Sequence, residues 1–278
     1  MIITQLTGGL GNQMFQYAMG RAVAEHLKVE FKLDVIVYKK HKKRQYSLDN
    51  FNIIAKIATP LDIITRKYLP WRKIIKEKRW DFIPEALNLP DNSYINSYLD
   101  NYWYVWQSEK YFKDIENIIK KEFTLKKSLP DSSNELQDLI ENSNSVSIHV
   151  RRGDYTEPKH KAIFTSCTEE YYRRAISTIS SKVDSPRFFV FSDDLEWCRT
   201  LPLPKDTVFV GSEFGLKDYE ELVIMSKCKH NIIANSSFSW WGAWLNNNAS
   251  KIVISPKRWH IKTDVNEKDL IPKTWSKI

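Results

Sequence analysis

Two adjacent arginines are the residues of this chain best suited to phosphate chemistry. Arg151 and Arg152 come directly after the predicted strand 146–150. A guanidinium group binds phosphate oxygens through parallel hydrogen bonds and stabilises charge on a leaving group. We expect one arginine to contact phosphate and the other to hold the loop, with Asp154 orienting it. Asp154 is also a candidate base, although an arginine partner would lower its pKa. Taken alone, the loop is more typical of a surface salt bridge.

A histidine and a helix start add two further polar groups. His149 precedes the arginines, and beside two positive charges its imidazole is expected to be neutral. It is either a satisfied core residue or a hydrogen-bonding partner for a ribose or phosphate. Asn235, Ser236, Ser237 and Phe238 open a predicted helix. Serines there cap the helix, and the backbone N–H groups exposed at the same place suit phosphate.

The elements that must position these residues alternate regularly in the C-terminal half. Strands are predicted near 146–150, 187–191, 207–210, 231–234 and 251–254, and helices near 168–182, 194–200, 217–228 and 238–247. This alternation predicts a parallel sheet with helices on both faces. Ligands of such sheets bind at the carboxyl ends of the strands. The arginine loop, Asp193 and the Asn235 helix start all follow strands, and this favours a ligand site over a salt-bridge loop.

The N-terminal half opens with a strand, a glycine turn and a helix. Ile2 to Thr7 is followed by Gly8-Gly9-Leu10-Gly11, and then by a helical pattern over 12–24. Met14 stands where a dinucleotide-binding turn has its last glycine, and the Gly-Lys-Ser/Thr ending of a P-loop is missing. The turn is therefore expected to bring backbone close to a ligand, with Asn12 offering a hydrogen bond.

Length, charge and cysteine usage bound the class of protein. The 278 residues fit two domains, predicted as 1–130 and 131–278, with a breaker-rich linker at 128–134. Three cysteines without paired spacing indicate a reducing cytoplasm. We expect no signal peptide and no membrane span. The basic, aromatic segment 63–80 is expected to form a helix that is solvated and packed by one face, or that lies on an acidic membrane surface.

Metal and cofactor motifs are missing from the sequence. It has no HExxH, no metal-type Cys/His spacing and no Asp-x-Asp pair. We therefore expect no metal and no cofactor, with arginines stabilising the phosphate charge in place of Mg²⁺. The net charge of +8 and the aromatic content also fit a nucleic-acid-binding protein. An NAD-linked oxidoreductase and a non-catalytic sugar-binding module are further alternatives. Polar groups at strand ends favour a small ligand, so no nucleic-acid partner is expected.

Taken together, the motifs resemble bacterial α-1,2-fucosyltransferases over nearly the whole chain. The resemblance is carried by the segments 8–18, 106–112, 149–155, 191–194 and 234–244. It implies an α/β, GT-B-like fold with two Rossmann-type domains facing across a cleft. It also implies metal-independent, inverting transfer of L-fucose from GDP-L-fucose to the 2-hydroxyl of a terminal β-galactoside, in surface-polysaccharide (O-antigen) biosynthesis. A related transferase using another GDP-deoxyhexose is the alternative.

The resemblance also implies roles for individual residues. Arg151 or Arg152 would bind the β-phosphate, and Asn12 would lie by the reacting sugar. The full set of expected donor contacts is His149, Arg151, Asp193, Asn235, Ser236, Ser237, Phe238, Gly9 and Gly11. The expected acceptor contacts are Gln13, Asp100, Trp106 and Glu109. The acceptor is expected to be an oligosaccharide that can be lipid-linked, and the protein cytoplasmic, with peripheral contact to an acidic membrane as a further expectation.

Overall fold

The chain divides into two α/β units. The computed structural model describes residues 1–39, 44–67, 74–76, 82–96, 98–99, 102–103, 106–153, 165, 167–261 and 266–278. The first unit comprises Met1–Lys127 and Val265–Pro272, and the second comprises Ser128–Asp264 and Lys273–Ile278. No helix in the described part of the chain is long and apolar enough to cross a membrane.

The first unit is built on a parallel sheet. Its elements are β1 (Ile2–Gln5), α1 (Leu10–Leu27), β2 (Phe31–Asp34), β3 (Lys56–Ile57), α2 (Pro60–Lys67), β4 (Ile74–Lys76), β5 (Tyr94–Asn96), β6 (Tyr98–Leu99), β7 (Tyr102–Trp103) and α3 (Glu116–Glu122). The sheet has the order β3-β2-β1-β5-β4, and β6 and β7 form a separate antiparallel hairpin. Short 3₁₀ turns lie at Ile36–Lys39, Leu48–Asn50, Pro84–Leu87, Glu109–Tyr111 and Lys113–Ile115.

The second unit carries a six-stranded parallel sheet. Its elements are α4 (Asn134–Glu141), β8 (Asn144–Val150), α5 (Glu169–Ser180), β9 (Pro186–Ser192), α6 (Leu195–Cys198), β10 (Val208–Val210), α7 (Asp218–Lys227), β11 (His230–Ile232), α8 (Ser237–Leu245), β12 (Val253–Ser255) and β13 (Ser276–Lys277). The order is β10-β9-β8-β11-β12-β13. The strand and helix alternation expected for this half is confirmed, and β13 is an additional edge strand.

Alternating residues of β9 show why helices cover both faces of this sheet. Phe188 and Val190 pack in one cluster with Tyr172 and Ile176 of α5. Phe189 and Phe191 pack in another, against residues of α4 and α7. Successive side chains of a strand point to opposite faces, so a strand that is apolar at every position requires a cover on each side. The tryptophans of α8 are core residues, since Trp240, Trp241 and Trp244 are all buried.

Two expectations about the fold need correction. The segment 265–272 belongs with the first unit, whereas the sequence assigned all of 131–278 to one domain. Asp269 explains the difference, since it forms an ion pair with Lys110 at 2.5 Å and accepts a hydrogen bond from the Phe82 N–H. The segment 63–80 is not one helix, because α2 ends at Lys67 and 74–76 is a strand that pairs with β5.

Candidate functional site

The polar residues of the second unit meet at the carboxyl edge of its sheet. β8 and β9 are parallel neighbours in a register that pairs Val150 with Ser192. The residues after these strands, Arg151 and Asp193, therefore leave the sheet side by side. β11 lies on the other side of β8 and leads into the start of α8. The sheet thus brings the arginine loop, Asp193 and the α8 start to one edge, as the strand alternation predicted.

Asp193 organises the loop after β8. Its carboxylate accepts a hydrogen bond from the Arg152 N–H at 2.9 Å and forms an ion pair with Arg151 at 2.8 Å. A Cβ atom at position 153 would lie 2.6 Å from Asp193 Oδ2, so only glycine fits there without displacing the carboxylate. Asp193 therefore positions the arginine loop, and its expected contact with the donor stays a prediction.

Arg152 is held by two residues that follow β9. Its Nε donates to Asp194 Oδ2 at 3.0 Å, and its guanidinium lies 4.3 Å from the ring centroid of Trp197. The Trp197 N–H also donates to Asp194, and this bond, followed by Arg152, lowers the pKa of Asp194. The expected partner, Asp154, lies outside the described residues. Arg152 is therefore the arginine that holds the loop, through Asp194.

His149 presents a buried, neutral imidazole beside Arg151. Its side chain is nearly inaccessible, and its ring packs on Phe238 at a centroid distance of 5.4 Å. Burial, followed by the Arg151 charge, lowers the pKa of His149 to about 3. The ring is thus neutral at physiological pH, as expected from its neighbours. Among the described residues the buried Nδ1 has no hydrogen-bond partner, and a buried polar atom of this kind calls for a ligand or water.

The start of α8 is capped by Ser236, whose Oγ accepts from the Phe238 N–H at 3.3 Å. Its first turn, which includes the half-buried Ser237 and Phe238, faces the His149 ring. Asn235 was expected to contact the donor. It is instead buried, and its amide donates to the carbonyls of Thr165 and Trp259. Asn235 therefore holds two loops in place beside the helix start.

The glycine turn of the first unit is fixed by hydrogen bonds. Gly8 has a φ of 82°, a conformation that favours glycine. Its carbonyl accepts from the Tyr38 hydroxyl at 3.0 Å. Gly9 caps α1 and Gly11 lies buried in its first turn. Asn12 Oδ1 accepts from Gln107 Nε2 at 3.1 Å, so the asparagine side chain is oriented before any ligand binds.

Two of the expected acceptor contacts, Gln13 and Trp106, have structural roles. Gln13 is fully buried, and its amide binds the Gln45 carbonyl at 2.8 Å and the Ser47 N–H at 3.0 Å. Trp106 is also fully buried and packs edge-on against Tyr111. The Gln13 side chain therefore holds a loop, and the Trp106 side chain packs in the core.

The other two expected acceptor contacts differ from these. Glu109 is half-buried, and its carboxylate lies 3.4 Å from Lys113 Nζ. Asp100 lies outside the described residues. Within the described ranges, no group of three or more His, Cys, Asp or Glu side chains is arranged to hold a metal ion.

Glu221 is a perturbed carboxyl that the sequence analysis missed. It lies in the first turn of α7, and burial, followed by the charge of Asp218, raises the pKa of Glu221 to about 7. Nothing in the sequence distinguishes this glutamate from a solvated glutamate in the first turn of a helix. Only the packing of α7 against its neighbours reveals it.

Glu221→Gln should stabilise the protein in a pH-dependent way. A carboxyl whose pKa is raised by folding favours the protonated native state, so its contribution is complete below the unfolded pKa and is lost as pH rises through about 7. Near pH 4 the variant and wild type should unfold alike, and at about pH 8.5 the variant should gain roughly 2–3 kcal/mol. Denaturant unfolding at both pH values measures this. Glu196→Gln is the control, because that side chain is 93% exposed, and an equal gain there would contradict the assignment.

Comparison with known proteins places this arrangement in a family. The chain is 34% identical over 293 residues to an α-1,2-colitosyltransferase of Escherichia coli, covering 100% of this chain and 99% of that protein. It is 31% identical over 295 residues to the O-antigen biosynthesis glycosyltransferase WbnK of Escherichia coli, covering 91% and 93%. The crystal structure of the α-1,6-fucosyltransferase NodZ soaked with GDP-fucose matches with a TM-score of 0.53 at 14% identity, covering 88% and 91%.

These comparisons confirm the predicted fold class and show the glycosyltransferase family, while the predicted α-1,2-fucosyl specificity stays a prediction. The likeness to NodZ shows the fold, which is GT-B-like and α/β with two Rossmann-like units. The profile of glycosyl transferase family 11 matches residues 1–278. With the full-length similarity to the colitosyltransferase, this match shows that the chain belongs to glycosyl transferase family 11.

Proposed function

We propose that this glycosyltransferase moves L-fucose from GDP-L-fucose to the 2-hydroxyl of a terminal β-galactoside, with inversion and without a metal ion. The observation that carries the proposal is the Arg151 loop, held by Asp193 beside the start of α8. A guanidinium and the N–H groups of a helix start are both ligands for phosphate. The family contributes the reaction class, and the motif resemblance contributes the sugar and the linkage.

The proposal gives the two arginines different roles. Arg151 is the phosphate ligand, because its charge acts on His149, whose ring packs on the first turn of α8. Arg152 points to Asp194 and Trp197 and holds the loop. His149 offers a neutral ring nitrogen to a ribose hydroxyl or phosphate oxygen. Asn12 is proposed to contact the transferred sugar, and Asp154 to support the arginine loop.

The proposed reaction is a single displacement through an oxocarbenium-like transition state. The acceptor hydroxyl oxygen bonds to the anomeric carbon, the bond from that carbon to the β-phosphate oxygen breaks, and the hydroxyl proton passes to water. Negative charge grows on the departing phosphate. Arg151 and the α8 N–H groups stabilise that charge. In many transferases a metal ion provides this stabilisation.

A second donor is favoured by a specific observation. The relative that is 34% identical over the full length is an α-1,2-colitosyltransferase. A GDP-linked deoxyhexose other than fucose, such as colitose, is therefore the alternative donor for this chain. The O-antigen glycosyltransferase among its relatives supports a surface-polysaccharide intermediate as acceptor, which can be lipid-linked.

A donor and acceptor panel tests the proposal. The purified protein is incubated with GDP-L-fucose or GDP-colitose and a set of β-galactosides, with EDTA in parallel tubes. We expect an α-1,2-linked product from GDP-L-fucose, in the same yield with EDTA. Product from GDP-colitose alone would select the alternative donor. Loss of product in EDTA would contradict the metal-free reaction, and absence of product with both donors would contradict the proposed function.

A further inference from the structure

The Tyr172 side chain contacts the strand end that leads into the arginine loop. Tyr172 lies fully buried in α5, and its hydroxyl donates to the His149 carbonyl at 3.1 Å. His149 is two residues before Arg151, at the end of β8. Burial, followed by the nearby Cys167, holds the pKa of Tyr172 well above its ordinary value, so the hydroxyl stays protonated and keeps donating. This hydroxyl therefore anchors the strand end from which the arginine loop leaves.

The ring of Tyr172 contacts a second support of the loop. It packs edge-on against Trp197 at a centroid distance of 6.0 Å, and the Arg152 guanidinium lies 4.3 Å from the centroid of that Trp197 ring. Trp197 is only half-buried, so its position depends on the groups that pack against it. Tyr172 thus contacts both the backbone that leads into the arginine loop and the ring on which Arg152 lies.

A thiol extends these contacts to the start of α8. The Cys167 thiol contacts the Tyr172 hydroxyl and donates to Asn235 Oδ1 at 3.5 Å. Burial raises the pKa of Cys167 to about 12, so the thiol keeps its proton at physiological pH. Asn235 directly precedes Ser236, the cap of α8. The arginine loop and the α8 start, the two parts of the proposed phosphate site, are therefore connected through one buried group of side chains.

The helix that carries Tyr172 is itself well anchored. The Thr168 Oγ caps α5 by accepting from the Tyr171 N–H at 3.4 Å, and the Tyr171 hydroxyl donates to the Ile233 carbonyl at 2.6 Å. Further along α5, Ile176 packs in the core of the sheet. Groups that bind a ligand must be held within about 0.5 Å of their productive geometry, and buried contacts from regular elements provide that support. Tyr172 is placed to provide it.

We propose that Tyr172 is a positioning residue, whose hydroxyl and ring fix the arginine loop in the geometry that binds the diphosphate of the GDP-sugar. It acts through the His149 carbonyl and Trp197 and does not itself touch the donor. This inference rests on the proposed function, because it concerns the same loop. It applies to every GDP-linked hexose, since the diphosphate is common to all of them.

Binding of GDP to the full chain tests this role. Tyr172→Phe removes only the hydroxyl and leaves the His149 carbonyl without this donor. We expect calorimetry to give a dissociation constant for GDP that is raised by about tenfold, because a small displacement of the arginines weakens their paired hydrogen bonds. The matched control is Ser145→Ala, near the other end of β8. It removes a buried hydroxyl that accepts from the Lys229 N–H at 3.0 Å, and it should bind GDP like wild type.

A spectroscopic measurement separates positioning from a general loss of stability. The ten tryptophans are replaced by 5-fluorotryptophan, and the fluorine resonance of Trp197 is identified by its absence in Trp197→Leu. In ligand-free protein we expect Tyr172→Phe to move this resonance and Ser145→Ala to leave it in place. Trp197→Leu is also a second test of binding, since it keeps the Tyr172 hydroxyl, removes the ring beside Arg152 and should weaken GDP binding by a similar factor. Thermal unfolding establishes that each variant is folded.

Three results would overturn the proposal. One is wild-type affinity for GDP in folded Tyr172→Phe or Trp197→Leu, and another is an equal loss of affinity in Ser145→Ala. The third is an unmoved Trp197 resonance in Tyr172→Phe. If wild type itself fails to bind GDP, the phosphate site of the proposed function is contradicted, and this inference with it. If wild type binds GDP and one of the three results is found, the positioning role alone is wrong, so the two failures are distinguishable.

Discussion

Arg151→Ala should lower kcat/KM with the GDP-sugar donor by about 10²–10³-fold, because it removes a fixed positive charge from the departing phosphate. Arg151→Lys should recover little of this loss, since an ammonium group cannot reproduce the paired hydrogen bonds of a guanidinium. Steady-state kinetics with saturating acceptor measures both values. The loss should fall on kcat as well as KM, because the charge is needed most in the transition state.

Two matched variants sharpen this test. Arg173→Ala removes an arginine of α5 whose only described partner is the exposed Glu170, and it should leave kcat/KM unchanged. Arg152→Ala should also reduce activity, but through a displaced loop and with a lower melting temperature, since Arg152 is held by Asp194 and Trp197. Wild-type kinetics in Arg151→Ala would rule out its proposed contact with phosphate.

Glu122→Ala should destabilise the protein by about 3–5 kcal/mol, because it leaves a buried charge without its partner. Glu122 Oε1 accepts from Arg21 Nε at 3.0 Å, and Oε2 accepts from the Tyr17 hydroxyl at 2.5 Å. The Arg21 and Glu122 side chains are only 8% and 7% exposed. Burial, followed by the Glu122 charge, raises the pKa of Tyr17, so its hydroxyl stays protonated and keeps donating.

Glu25→Ala is the control for this second result. Glu25 pairs with the same Arg21 at 2.8 Å but is 26% exposed, so its loss should cost only about 1 kcal/mol or less. Urea unfolding of the three proteins gives the difference. Equal costs for Glu25→Ala and Glu122→Ala would show that the contact between α1 and α3 contributes no more than a surface pair. The contact matters for the site because α1 begins at the glycine turn.

The sequence predicted those features of the site that follow from local pattern. Strands that alternate with helices predict a parallel sheet covered on both faces, and the parallel sheet brings Arg151 and the Ser236 helix start to the same edge. Serine before an apolar helix predicts the cap that Ser236 forms. These inferences require only the direction of each strand and the chemistry of the residue after it.

The sequence did not predict which polar side chains pair with each other. Asp193 and Arg152 are separated by 41 residues, and Asn235 and Thr165 by 70. Contacts of this range depend on register and loop path, so the sequence did not show that Asp193 and Asn235 hold neighbouring loops. The partners of Gln13 were missed for the same reason, because residues 45 and 47 come from a loop with no pattern of its own.

The ion pair between Arg151 and Asp193 has a consequence for selectivity among anions. This guanidinium has a counter-charge at 2.8 Å. An incoming phosphate must compete with that carboxylate, and the cost lowers the affinity of every phosphate-bearing ligand by the same factor. Free phosphate and other small cellular anions make few further contacts that offset this cost. The proposed donor also contributes its base, ribose and hexose, so we expect Asp193 to keep small anions from filling the site while the complete donor still binds.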